Sequence, residues 1–162
     1  MTATYDAIAT TTLGTATNTV TFSNISGSFT DLVLIAAGST TSSGGNLLIR
    51  VGNGSVDTGS NYSATRIYGN GSTASSDRLL PEQKFYGSTG NFIDSVMVAS
   101  LMNYSNTTTN KTGLFRLNTT TFVGANVQLW RSTSAINVIE FYTSANNFTV
   151  GTTFTLYGIK AE

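Results

Sequence analysis

Short runs of β-branched and aromatic residues recur along the chain with glycine, serine and asparagine between them, and apolar residues at helical spacing are scarce. Asn18 to Ile25 alternates cleanly, with Val20 and Phe22 on one side and Thr19, Thr21 and Ser23 on the other, as a half-buried strand does. Tyr5 to Leu13, Leu47 to Val51, Tyr62 to Tyr68, Lys111 to Asn118 and Phe122 to Arg131 predict further strands. Asp31 to Gly38 and Phe92 to Met102 are apolar on both faces, which marks strands with neighbours on both sides or a second layer above them. Ile136 to Thr143 and Thr152 to Lys160 flank a polar segment ending in Gly151, and predict a closing β-hairpin. The sum is about nine or ten strands.

Between these runs lies turn chemistry. Asn53-Gly54 and Asn70-Gly71 are turn dipeptides, because glycine, and asparagine less easily, accept a positive φ. Asp77 to Lys84 holds the single proline, Pro81, amid Asp77, Arg78, Glu82 and Lys84, and predicts one helical turn or an irregular loop. No repeat or linker divides the chain. The expectation is an all-β protein with little helix, a two-sheet β-sandwich of jelly-roll type forming one domain over residues 1–162.

A sandwich of this size needs one buried face per sheet, yet DLVLIAAG, FIDSVMVASLM and INVIEFY each offer two. Part of the second face is therefore expected to meet a loop or another subunit, which makes the protein an assembling component.

Composition narrows the function classes. Hydrophobic residues make up 40% of the chain, enough for a core without staples, while only 10% are charged, against roughly 25% in an ordinary domain. Eight basic and eight acidic residues cancel and form no basic run, so nothing here attracts nucleic acid or a membrane surface. The amino-terminal stretch lacks the basic and apolar regions of a signal peptide.

Histidine and cysteine are both absent, which removes the commonest general base, the thiolate nucleophile and the usual zinc ligands. Two carboxyls could serve a glycosidase, with Asp77, Glu82, Asp94 and Glu140 as candidates, but no motif sets two of them together. The expectation is no enzyme, no cofactor and no metal. Asn53, Asp57 and Asn61 could offer oxygens to calcium, although ordinary Asx-turns explain the same spacing. The aromatic set Tyr62, Tyr68, Phe85, Tyr86 and Trp130 is the candidate interface or ligand surface: such rings stack on sugars, and they equally fill cores and subunit interfaces.

The closing residues FYTSANNFTVGTTFTLYGIKAE carry a pattern of a strand ending in aromatic-Tyr-Thr, a polar turn, and then Gly151 leading through Phe154 into Leu156-Tyr157-Gly158-Ile159. This resembles small jelly-roll structural proteins and fibre-tip domains of tailed bacteriophages, tightly over Gly151 to Lys160, and Phe29-Thr30-Asp31-Leu32-Val33-Leu34 is similar to their early strand. The resemblance implies a virion protein on the capsid exterior, assembled in the host cytoplasm. It would act as a decoration or cement protein that bridges major capsid subunits as a dimer or trimer. The alternative it implies is a tail-fibre tip that contacts host glycans. With Met1 almost directly before the first strand, no fibre shaft is expected, and decoration is the expected role.

Overall fold

The computed structural model describes residues 4–160, and no residue among them is helical. Thirteen strands follow in order: β1 (Tyr5–Thr12), β2 (Thr19–Phe22), β3 (Asp31–Gly38), β4 (Leu47–Asn53), β5 (Ser55–Val56), β6 (Tyr62–Gly69), β7 (Ala74–Glu82), β8 (Phe85–Tyr86), β9 (Ser95–Leu101), β10 (Lys111–Asn118), β11 (Val123–Trp130), β12 (Val138–Thr143) and β13 (Thr153–Ile159). Eight form one sheet in the order β1-β13-β3-β9-β10-β11-β6-β7. Five form the other, in the order β2-β12-β4-β5 with β8 paired to β4.

The sandwich is a jelly roll. From the amino terminus the chain alternates sheets, β1 in the large one, β2 in the small, β3 in the large, β4 in the small, and its last strands slot back between them. Thus β13 lies between β1 and β3, and β12 between β2 and β4, all antiparallel. β8 and β9 complete the roll. Two hairpins are added to it, β6–β7 after β4 and β10–β11 after β9. They join through the β11–β6 ladder and widen the large sheet by four strands.

The alternation seen in sequence places the core between the sheets. Leu32 and Leu34 of β3, Phe154 and Leu156 of β13, Ile49 and Val51 of β4 and Phe141 of β12 are fully buried. Phe141 meets Phe154 across the layers with ring centroids 5.0 Å apart, and burial of such rings is the main driving term for closing the roll. Gly158, in the carboxyl-terminal pattern, faces inward where any Cβ would overlap the Phe29 ring.

Two expectations are corrected. Ile136 to Lys160 is not a hairpin: β12 belongs to the small sheet and β13 to the large one. The connecting segment crosses between them around Phe148, fully buried against Phe92 and Phe154 and bridged to Thr17 and Thr40. Both runs bury one face on the same core from opposite sides, which hydrophobic pattern alone cannot tell from adjacent pairing. Asp77 to Lys84 is neither a helical turn nor an irregular loop, for Ala74–Glu82 is the edge strand β7, where a proline is tolerated because one side of the strand needs no hydrogen bonds. Together with the short β5 and β8, β7 accounts for the strands beyond the expected count.

Candidate functional site

The five aromatic candidates separate into two groups. Tyr62 and Phe85 are fully buried and Trp130 nearly so, with Tyr62 stacked on Trp130 at 6.5 Å and set edge-on to Phe85 at 5.0 Å, so all three belong to the core and offer no ligand surface. Their polar atoms are engaged. The Tyr62 hydroxyl accepts from Val51 N at 3.2 Å and lies 3.0 Å from Val51 O, and Trp130 Nε1 donates to Asp57 Oδ2 at 2.7 Å. Asp57 also accepts from Gly59 N and Asn61 Nδ2, while Asn53 donates to Ala135 O at 2.8 Å. Asp57 and Asn61, considered for calcium, thus form a loop clamp on Trp130, while Asn53 is held separately at Ala135. Among the described residues no three acids, histidines or cysteines come together as a metal cluster.

Tyr68 and Tyr86, each half-buried, lie in a cluster of ions and rings beside β8. Arg66 of β6 holds Asp77 of β7 with two bonds, Nε to Oδ1 at 2.8 Å and Nη2 to Oδ2 at 2.5 Å, and its guanidinium lies 4.7 Å from the Tyr86 ring centre and 5.6 Å from that of Tyr68. Lys84 pairs with Glu82 at 2.6 Å and approaches the Tyr86 ring, while Arg50 reaches Glu140 at 3.5 Å and covers Tyr142 at 4.3 Å. Arg66 holds the Asp77 carboxyl below the usual carboxylate range. Burial opposes the Lys84 ammonium, but its partners Glu82 and Tyr86 outweigh that and raise its pKa. Asp77, Glu82 and Glu140 are therefore each committed to a cation. Asp94 caps a loop with Ser39, at 3.0 Å from its hydroxyl.

Strand β11 reads the wrong way round for a sandwich. Asn126, Gln128 and Trp130 point inward, whereas Val123, Val127 and the small Ala125 point to solvent, with Val123 65% and Val127 52% exposed. Gln128 is fully buried and acts as a substitute strand edge, donating to Tyr86 O at 2.8 Å and accepting from Tyr86 N at 2.7 Å. Asn126 beside it is buried with no hydrogen-bond partner on either amide atom.

The outward face continues this inversion across the added strands. In register, Leu114 of β10 faces Val127 of β11, Arg116 faces Ala125, and Ala125 faces Ile67 of β6. Ile67 is 61% and Leu114 48% exposed. Beside Ile67 lies a shallow concavity of about 1010 Å³ whose lining includes Val96, Val98, Ile67, Val123 and Arg116. Buried amides and exposed branched side chains on one strand are the reverse of what folding alone selects, so this face is the stronger candidate for interaction. In sequence, Val127 and Leu129 stand opposite Gln128 and Trp130, and alternation alone does not say which side of the strand meets the core.

No protein-family model matches the chain, and no curated protein is similar enough to it to carry an argument.

Proposed function

We propose that this protein is a structural component of a tailed-bacteriophage virion that decorates the capsid exterior, bridging and stabilising major capsid subunits, with a structural rather than catalytic role. The observation that carries the assembly reading is the uncovered apolar face of the large sheet on an otherwise neutral, hydroxyl-rich shell. The jelly-roll topology and the resemblance of Gly151 to Lys160 to phage virion proteins support the virion assignment. A stained gel of purified particles tests it. Hundreds of copies per particle are expected; absence of the chain from the particle would sink the reading.

A tail-fibre tip that contacts host glycans is the second reading, favoured by the tyrosines Tyr68, Tyr86 and Tyr142 gathered beside the polar side chains of Arg50, Lys84 and Arg66. A few copies per particle together with a positive glycan array would select it. Against it, cations already lie close to these rings where a sugar would stack.

A further inference from the structure

We infer that the outward face of β9, β10, β11, β6 and β7 docks a protein surface that is apolar and acidic, belonging to a different chain and not to a second copy of this one. The inference rests on the assembly reading above and names the face and the kind of partner.

The charge on this face decides between occupants. Arg116 lines the concavity, in the row of Val98, Ala125 and Ile67, and Arg78 stands in the row of Val127 and Thr65. Neither takes part in an ion pair among the described residues. No aspartate or glutamate points outward from these five strands, since Asp77 shares the inward row of Arg66 and Glu82 that of Tyr62. A two-fold contact between identical faces would therefore set guanidinium groups toward guanidinium groups with no carboxylate to offset them. A partner carrying carboxylates among apolar side chains meets both features at once.

Size points the same way. Five strands of seven to nine residues, spaced about 4.8 Å apart, cover on the order of 600 Å², short of the ~800 Å² per partner of a stable standard interface. One such contact is weak, and gains strength when many copies sit on a repeating lattice.

Docking by strand addition is disfavoured at both edges of this sheet. The β7 edge carries Arg78 and Pro81; the β1 edge carries a bulge between Ala7 and Ala9 and the Asp6–Lys160 ion pair. The face is left as the surface to bind through.

Two dyes of matched shape test the face on the intact chain: 8-anilinonaphthalene-1-sulfonate, which joins an apolar ring system to an anion, and its uncharged analogue N-phenyl-1-naphthylamine. Both are expected to bind, and Ile67→Asp should weaken both at least tenfold. Arg116→Glu should weaken only the anionic dye, by about tenfold, and circular dichroism verifies that each variant is folded. Equal binding by wild type and Ile67→Asp, or equal loss of both dyes in Arg116→Glu, would overturn the site. Light scattering at high micromolar concentration decides the occupant. The association state is expected to be the same in wild type and Ile67→Asp, and an oligomer dissolved by that substitution would overturn the assignment to a different chain. These readings do not involve the particle, so failure of the virion assay leaves them standing, and the reverse.

Discussion

Asp57 shows how much of this fold hangs on single polar groups. Burial pushes its carboxyl up, but the hydrogen bonds from Trp130, Asn61 and Gly59 outweigh that, and its pKa is lowered. The unfolded chain, with an aspartate pKa of about 3.9, then takes up the proton first as pH falls. The stabilisation is complete above about pH 4 and is lost as pH drops through the lower folded value, and Asp77 beside Arg66 behaves likewise. At the alkaline end Tyr62, Tyr86, Tyr104 and Tyr142 are all pushed up by burial, so stability holds below the unfolded value of about 10 and falls above it. Urea midpoints measured against pH should form a plateau between these limits. Asp57→Ala, which leaves the buried indole N–H unpaired, should cost about 1.5–3 kcal/mol at pH 7 and shrink the acid limb. Asn126→Val should act oppositely: removing an amide without partners and adding a β-branched residue to a strand is expected to raise stability by about 1 kcal/mol, read from the same denaturation curves.

At the scale of elements, β8 is the weak point, since it has two residues and pairs only with β4. Gln128 supplies its other side. Gln128→Leu would leave both Tyr86 backbone groups without their present partners, and amide exchange at Phe85 to Thr89 is expected to quicken by at least tenfold while β3 and β13 keep their protection. Unchanged exchange there would show that β8 does not depend on this side chain. The same elements mark where reading from sequence succeeds and stops. Asp31 to Gly38 and Lys111 to Asn118 were legible to the residue, because clean alternation or two-sided burial ends at glycine or asparagine. β7 was not, because ASSDRLLPE has neither alternation nor β-branched residues and owes its strand form to pairing with β6. The orientation of β11 was illegible for a related reason: a slip of one residue exchanges its faces, and the polar side is the one its neighbours bury. Of the five candidate aromatics, which pattern does not distinguish, the structure leaves only Tyr68 and Tyr86 half-buried. Tyr62, Phe85 and Trp130 went to the core because Asp57, Val51 and one another satisfy them there.

On the scale of the whole molecule, the basic roll and the two added hairpins do different work. The roll's strands bury Leu34, Ile49, Phe141 and Leu156 completely, and the hairpins extend the same core with Tyr62, Phe115 and Trp130, which enclose Phe85. The hairpins contribute the inverted strand, most of the concavity and the Arg66–Asp77 pair, so the features that invite an assembly are concentrated on one flank. The two-sided apolar runs that suggested assembly are resolved in two ways. β3 lies mid-sheet with Val33 screened by its neighbours, whereas β9 leaves Val96 41% exposed at the border of the concavity.

Tyr5 pairs with Ile159, which sets the two ends of the described chain side by side on the first two strands of the large sheet, seven and six strand spacings from β7, or about 33 and 29 Å. A fluorescent protein or enzyme fused at either end would therefore emerge well clear of the hairpin flank. If that flank is what grips a particle, the molecule is laid out as a carrier for displayed cargo, with grip and payload on separate margins of one sheet.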